Sequence, residues 1–98
     1  MAIQLNPGQA KYYGNRSQAK LKLQDFEGAL KDANESIELD QTYTKARYKK
    51  ALAYKGLRNY EAALEELRQL HKDDPNEQNI RNTMHECENL LLPQGNVV

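Results

Sequence analysis

The sequence contains one cysteine, three prolines, one phenylalanine and no tryptophan among its 98 residues. A single cysteine excludes a disulfide within the chain and is typical of a reducing compartment, so we expect a cytoplasmic protein. Fourteen basic and fourteen acidic side chains give zero net charge, which provides no bulk attraction for nucleic acid or membranes. No apolar run approaches the roughly 20 residues that span a bilayer. We therefore expect one small soluble domain that binds neither nucleic acid nor membranes.

Patterns that carry catalysis or metal binding are also scarce. His85 and Cys87 are two positions apart, which directs them to different sides of a helix, and His71 has no partner at metal-binding spacing. Neither a P-loop nor a GxGxxG motif occurs. We expect no catalytic residue, no metal and no cofactor, and hence a protein that is not an enzyme.

Helix-forming residues dominate the chain and β-branched residues are few, which predicts an all-α fold. The segment DFEGALKDANESIELDQTY, residues 25–43, is similar to NYEAALEELRQLHKDDPNE, residues 59–77, with Ala29 aligned to Ala63. Two short helices repeated with a period of about 34 residues are typical of the tetratricopeptide repeat (TPR).

The chain resembles the TPR family over nearly its whole length. The resemblance implies an antiparallel helix-turn-helix superhelix with repeats at 10–43 and 44–77, each made of a first helix (A) and a second helix (B). Residues 78–92 are expected to form a C-terminal capping helix, and residues 93–98 a flexible tail. Residues 1–9 align with the close of a B helix and are expected to be the end of a truncated preceding repeat.

Local signals predict how the helices begin and pack. Asp25 and Asn59 are the predicted N-caps of the B helices. The segment 74–77, Asp-Pro-Asn-Glu, predicts the start of the capping helix with proline at the first helical position. Small residues are expected where helices approach closely: Ser17, Ala29, Ala51 and Ala63. The apolar face of the capping helix is expected to comprise Ile80, Met84, Cys87 and Leu91.

Charge is segregated between the predicted helices. The A-helix stretches 10–23 and 44–58 carry +4 and +6 with no acid, whereas the B-helix stretches 25–40 and 59–77 carry −5 and −4. One interpretation is that basic and acidic helices pair along the stack, or that these are solvated faces. The other is that the basic A helices form a surface that attracts an anionic peptide.

Spacing within the A helices favours the second interpretation. Lys11 and Asn15 are four positions apart, as are Lys45 and Lys49, so each pair shares one helix face. The two pairs are themselves one repeat period apart and are expected to stand side by side. Their ammonium and amide donors suit one or two carboxylates.

The segments YYGNRS, residues 12–17, and YTKARYKKA, residues 43–51, resemble the carboxylate-clamp TPR domains of co-chaperones. Those domains bind the acidic C-terminal tail, ending Glu-Glu-Val-Asp, of heat-shock chaperones. The resemblance implies peptide-binding roles for Asn15, Lys45 and Lys49, with Lys11 an extra cation at a position equivalent to a clamp residue. Two functions remain as alternatives: an adaptor for another acidic partner, or a module that forms homo-oligomers through the uncovered face of its first helix near Tyr13.

Gly14 is unexpected, because glycine within a helix costs about 1 kcal/mol relative to alanine. Tyr13 and Ser17 are expected to face neighbouring helices, whereas Lys11 and Asn15 face the ligand. Gly14 is adjacent to Asn15, and we expect it to keep a side chain out of the ligand's path.

Overall fold

The computed structural model describes residues 6–91, without the side chain of Pro7, and these residues form five α-helices. The helices are α1 (Pro7–Lys22), α2 (Phe26–Leu39), α3 (Thr44–Gly56), α4 (Tyr60–Asp73) and α5 (Gln78–Leu91). Each helix packs against the next, and α1 also contacts α3. The predicted all-α architecture is confirmed. The segments 1–5 and 92–98, which include the predicted tail and most of the predicted preceding repeat, lie outside the described residues.

Among the five described helices, none combines the length and the apolar character that crossing a bilayer requires.

The α1–α2 and α3–α4 connections are built in the same way. In the first, the Gln24 amide donates to the Leu21 carbonyl at 3.0 Å, and the Asp25 amide donates to the Lys20 carbonyl at 2.8 Å. These two bonds form a Schellman motif, which places one residue in the left-handed region, and Gln24 has a φ of 62°. Arg58 has a φ of 64° at the equivalent position of the second hairpin.

Asp25 and Asn59 complete these motifs and also begin the following helices. Asp25 Oδ1 accepts from the Gly28 amide at 3.1 Å, and Asn59 Oδ1 accepts from the Ala62 amide at 3.3 Å. Both predicted N-caps are confirmed. Because one polar residue satisfies backbone groups of two helices, a very short connection is sufficient.

α5 starts at Gln78, the residue at which the capping helix, 78–92, was expected. The local helix start predicted at the segment 74–77, with Pro75 at the first helical position, is not formed. The Asp74 amide closes α4 by donating to the Leu70 carbonyl at 2.9 Å, and the Glu77 amide donates to the Asp74 carbonyl at 3.3 Å. Pro75 thus occupies the second position of a β-turn, which suits its restricted φ. The prediction of a helix beginning with this proline was wrong.

α1 begins earlier than the predicted repeat boundary at residue 10. Pro7 is its first residue, and Asn6 is the N-cap, with Oδ1 accepting from the Gln9 amide at 3.5 Å. Proline suits this position because it has no amide hydrogen to leave unpaired. Residues 7–9 therefore belong to α1.

Small residues lie where the helices cross, as predicted. Ser17, Ala29, Ala51 and Ala63 have no exposed surface. The Ser17 hydroxyl donates to the Ala29 carbonyl at 2.7 Å and links α1 to α2.

The apolar core lies among α3, α4 and α5. It consists of Ala51, Ala63, Leu64, Leu67, Leu70, Ile80 and Cys87. On α5, Ile80 and Cys87 are buried and Met84 packs against this cluster. Leu91, however, is 43% exposed, so its predicted place on the buried face was wrong. The core fixes α5, and with it one side of the candidate site, against α3 and α4.

Gly14 is buried between helices and does not border a ligand surface. A Cβ at this position would lie 2.8 Å from Cε2 of Tyr43 and 3.5 Å from Oγ of Ser36. Ser36 in turn donates to the Ala10 carbonyl at 2.6 Å, which holds α2 against α1. The expectation that Gly14 clears the ligand's path was wrong: the missing side chain makes room for the Tyr43 ring.

Candidate functional site

The A helices of the two repeats, α1 and α3, and the capping helix, α5, which occupies the place of a third A helix, present equivalent positions at steps of one repeat period. Within each helix these positions have the spacing i, i+4, i+7 and i+11, which places them on one face. Two contacts hold α5 beside α3: Tyr48 Oη lies 2.9 Å from Thr83 Oγ1, and Lys55 Nζ lies 2.6 Å from Glu86 Oε2. We call this surface the A-helix face; its residues are Lys11, Asn15, Gln18, Lys22, Lys45, Lys49, Leu52, Gly56, Asn79, Thr83, Glu86 and Leu90.

Lys45 and Lys49 border a cavity of about 470 Å³ between α3 and the start of α5. Tyr48, Leu70 and Ile80 provide its apolar lining. Lys11 and Asn15 are both exposed on α1 and, among the described residues, do not line this cavity. The structure thus brings the two lysines together, and it places Lys11 and Asn15 on the neighbouring helix of the same face.

Ion pairs distinguish the cations of α3. Arg47 and Lys50 both pair with Glu66 of α4, at 3.9 and 3.2 Å, and Lys55 pairs with Glu86. Within residues 6–91, Lys45 and Lys49 have no carboxylate oxygen within 4.0 Å. Ion pairs between helices therefore account for part of the charge segregation. The two predicted binding lysines, Lys45 and Lys49, are the α3 cations that have no carboxylate partner among the described residues.

The same division occurs on α1. Arg16 donates to both carboxylate oxygens of Asp32 at 2.8 and 2.9 Å, and Lys20 lies 3.0 Å from the same group. In the described part of the chain, Lys11 has no such partner within 4.0 Å. The cations that face α2 are neutralised, and Lys11 on the A-helix face is not.

The electrostatics of α3 favour an anion beside Lys49. Lys49 is half-buried, and burial together with the positive charge of Lys45 lowers its pKa. Two like charges one helical turn apart repel each other, and partial burial weakens solvation of the ammonium. A bound carboxylate would relieve both effects, so this pair is suited to accept one.

Two features of this cavity are absent from the predictions made from the sequence. The first is an acidic wall, Asp73, Asp74 and Glu77, which borders the same cavity as the lysines. The second is Asn79, which is exposed, borders the cavity, and lies one repeat period after Lys45. The repeat period is sufficient to identify Asn79, whereas the acidic wall depends on the turn at Pro75, where the sequence pattern predicted the start of a helix.

A second cavity, of about 360 Å³, lies at the other end of the A-helix face. Residues from α1, α3 and α5 border it, including Leu21, Leu52 and Leu90. Phe26 and Tyr60 complete its apolar lining. The A-helix face therefore carries Lys11, Lys45 and Lys49 toward the N-terminal ends of α1 and α3. Toward the C-terminal ends of these helices it has a largely apolar cavity, which Lys22 and Lys55 also border.

Comparison with protein families matches residues 10–43 and 44–76 to the tetratricopeptide repeat. Mouse serine/threonine-protein phosphatase 5 is 40% identical over 90 residues, which are 92% of this chain and 18% of that protein. Hsp70-Hsp90 organizing protein 1 of Glycine max is 38% identical over 86 residues, 88% of this chain and 15% of that protein. This chain thus spans less than a fifth of the length of these curated relatives.

Solved structures agree with the repeat assignment. The second TPR domain of human RPAP3, solved in complex with the HSP70 peptide SGPTIEEVD, superposes with a TM-score of 0.77 at 26% identity. That alignment covers 82% of this chain and 67% of the RPAP3 chain. The TPR domain of Arabidopsis OM64 has a TM-score of 0.78 at 25% identity, over 86% of this chain and 69% of its own. The repeat sequence, the paired helices and these matches lead to one conclusion: the chain belongs to the tetratricopeptide repeat family.

Proposed function

We propose that this chain is a peptide-binding module, part of a co-chaperone, that binds the acidic C-terminal tail of a heat-shock chaperone on its A-helix face. The observation that carries the proposal is that Lys45 and Lys49 are the α3 cations without an ion-pair partner among the described residues. An ammonium group that lacks an internal partner is available to a ligand, and these two lie one turn apart on one face.

Asn15, Lys45 and Lys49, assisted by Lys11, would hold the terminal carboxylate and the last acidic side chain. Lysine ammonium and asparagine amide groups donate hydrogen bonds and carry no negative charge that would repel a carboxylate. Hydrogen bonds to a charged acceptor are stronger than those between neutral groups. Asn15 and Lys11 are exposed on α1, beside α3, and so are accessible to a peptide that lies along the face.

The apolar cavity bordered by Leu21, Leu52 and Leu90 would receive an apolar side chain of the same peptide. Leu52 and Gly56 follow Lys49 on the same helix, which places this cavity about 5–10 Å from Lys49 along the helix axis. An extended peptide covers that distance in about two or three residues. The proposed ligand therefore has an apolar residue shortly before its acidic end.

The relatives support this assignment. One is named for organising Hsp70 and Hsp90, and one solved neighbour was determined with an HSP70 peptide whose sequence ends IEEVD. That peptide has an apolar isoleucine followed by acidic residues and a terminal carboxylate, which corresponds to the order of apolar and cationic regions on the A-helix face.

Isothermal titration calorimetry with SGPTIEEVD as free acid and as C-terminal amide tests the proposal. We expect the amide to bind about tenfold or more weakly, because it loses a charge-assisted interaction. Lys45→Glu is expected to abolish binding, whereas the matched control Lys31→Glu, an exposed lysine of α2, should not change it. Affinity should also fall as salt rises. Equal affinity for acid and amide would contradict the terminal-carboxylate contact.

The same titration separates this function from that of an adaptor for another acidic segment. A scrambled peptide with the same composition and a free carboxylate retains the charge but moves the apolar residue. If the scrambled peptide binds as tightly as SGPTIEEVD, the chain recognises acidity alone and the adaptor function is favoured.

A second candidate function is self-association through α1. Tyr12 and Leu23 are 57% and 79% exposed, whereas their equivalents Ala46 and Leu57 are fully buried and 37% exposed. Exposed apolar side chains on one helix face promote association. Light scattering at low micromolar concentration tests this function: a dimer that Tyr12→Glu dissociates supports it, and a monomer rejects it.

A further inference from the structure

The nine lysines of the chain occupy three different environments. Lys20, Lys50 and Lys55 are held by carboxylates at 3.0, 3.2 and 2.6 Å. A second group is exposed and without an ion pair in the described residues: Lys11, Lys22, Lys31, Lys45 and Lys72. Lys49 alone, among residues 6–91, is both half-buried and without a carboxylate within 4.0 Å. Lys49 is thus neither paired with a carboxylate nor fully exposed.

We propose that Lys49 is a site of selective acylation by an acyl thioester, and that acylation switches off peptide binding. The cavity beside Lys49, about 470 Å³ in volume and lined by Tyr48, Leu70 and Ile80, has room for a small acyl group. The first half of the proposal, selective acylation, is independent of the ligand. The second half rests on the proposed peptide-binding function.

The groups around Lys49 favour its neutral, nucleophilic form. Burial, together with the positive charge of Lys45 one turn earlier on α3, lowers the pKa of Lys49. The other cations of α3, Arg47, Lys50 and Lys55, are paired with carboxylates. Lysines that are desolvated or placed beside another cation become nucleophiles for this reason. The negative charges of Asp73, Asp74 and Glu77, which border the same cavity, oppose this effect, but none of these carboxylates lies within 4.0 Å of the Lys49 amine.

The reaction is a simple acyl transfer. The neutral Nζ of Lys49 attacks the thioester carbonyl carbon, a carbon–nitrogen bond forms and the carbon–sulfur bond breaks. The thiolate leaves with the electron pair, and the proton lost from nitrogen passes to the thiolate or to water. The product is an uncharged amide, so the A-helix face loses one of the two cations of α3 that have no partner among the described residues.

Mass spectrometry after brief treatment with limiting acetyl thioester tests selective acylation, because it reports every lysine in one sample. Lys49 is expected to be acetylated several-fold faster than Lys31 and Lys72, the internal controls. The preference should disappear when the protein is unfolded in guanidinium chloride. Lys45→Gln should slow acetylation of Lys49, since it removes the neighbouring positive charge. Acetylation of Lys49 no faster than Lys31 would overturn the proposal.

The regulatory half is tested by calorimetry of the Lys49-acetylated protein with SGPTIEEVD. We expect the dissociation constant to rise about tenfold, as expected when one charge-assisted contact is lost. If the unmodified protein binds the peptide and the acetylated protein binds equally well, the switch is overturned. If the unmodified protein does not bind the peptide, the proposed function fails, and the acetylation rates still decide whether Lys49 is selectively modified.

Discussion

The two repeats have the same helical geometry, yet they bury different side chains between their helices. In the first repeat, the buried face of α2 carries Ala33 and Ser36, and in the second the equivalent residues of α4 are Leu67 and Leu70. Each buried leucine contributes roughly 1.5–3 kcal/mol through removal of apolar surface from water. A net hydrogen bond contributes about 1 kcal/mol.

The ion pairs also differ between the repeats, and here the first repeat has the more buried pair. Arg16 with Asp32 in the first repeat corresponds to Lys50 with Glu66 in the second, one repeat period later. The Asp32 side chain is 2% exposed and accepts two hydrogen bonds from Arg16, whereas the Glu66 side chain is 22% exposed. One fold thus tolerates a polar, small-residue interface in one repeat and a leucine interface in the next, and the first repeat is expected to unfold more readily.

The largest expected difference concerns the apolar interface. Leu67→Ala should destabilise the protein by about 2–5 kcal/mol, because it leaves a cavity in the core. Ser36→Ala in the first repeat should cost only about 0.5–1.5 kcal/mol, since it removes one hydrogen bond to Ala10. Urea unfolding followed by circular dichroism measures both. Equal losses would show that the two interfaces are energetically alike.

The second comparison concerns the carboxylates. Asp32→Asn should destabilise the protein by about 1–3 kcal/mol, because Arg16 and Lys20 lose their buried acceptor. Glu66→Gln should cost less than about 1 kcal/mol, since its pairs are longer and more exposed. The same urea titrations compare them. A larger loss for Glu66→Gln would reverse the comparison.

The free energy of unfolding at low pH should report the contribution of the Asp32 carboxylate to stability. Hydrogen bonding to Arg16, opposed by burial and assisted by Lys20, lowers the pKa of Asp32 below its usual 3.8. A carboxyl with a lowered folded-state pKa stabilises the fold above pH 3.8, and this stability is lost as pH falls through the folded-state value. The stability difference between the natural protein and Asp32→Asn should therefore be constant near neutrality and shrink below pH 3.8. A difference that grows in acid would contradict this assignment.

Replacing the two glycines of α1 by alanine should change stability by smaller amounts and in opposite directions. Gly14→Ala should destabilise by about 1 kcal/mol, because its Cβ would meet the Tyr43 ring at 2.8 Å. Gly8→Ala, in the same helix with no atom within 4 Å, should stabilise by about 0.5 kcal/mol. Thermal unfolding midpoints measure both signs. A stabilising Gly14→Ala would mean that the Tyr43 ring moves aside without cost.

The smallest effects are expected where the repeats are alike. Gln24 and Arg58 have left-handed backbones, with φ of 62° and 64°, in equivalent Schellman motifs. Gln24→Gly and Arg58→Gly should each stabilise by about 0.5 kcal/mol, since glycine adopts this conformation without a Cβ penalty. Differential scanning calorimetry should give similar increases for both. Unequal increases in the unfolding temperature would show that the two helix connections also differ energetically.

The predicted features that were confirmed depend on short-range or periodic information. The N-caps at Asp25 and Asn59 are local hydrogen bonds within one helical turn, and the small residues such as Ser17 and Ala51 recur with the repeat. Prediction failed at Pro75, where the sequence is compatible with two local structures, a helix start and a turn. Asp74 closes α4 and accepts from the Glu77 amide, and these hydrogen bonds form the turn.

Gly14 shows the same limit at the candidate site. Its neighbours in sequence suggested a ligand surface, but Tyr43, from the far end of the same repeat, occupies the space beside it. The acidic wall that shares the cavity with Lys45 and Lys49 also escaped prediction, because the end of α4 and the α4–α5 turn bring its residues there.

The sequence by itself determined the all-α repeat, the helix caps and the alignment, one repeat period apart, of Lys11 with Lys45 and Asn15 with Lys49. Each of these follows from local hydrogen bonding or helical periodicity. Only the tertiary structure decided which cations are neutralised, because Arg16 meets Asp32 and Lys55 meets Glu86 across separations of 16 and 31 residues. The rotation of each packed helix directs some basic side chains toward a carboxylate and leaves Lys45 and Lys49 without one among the described residues.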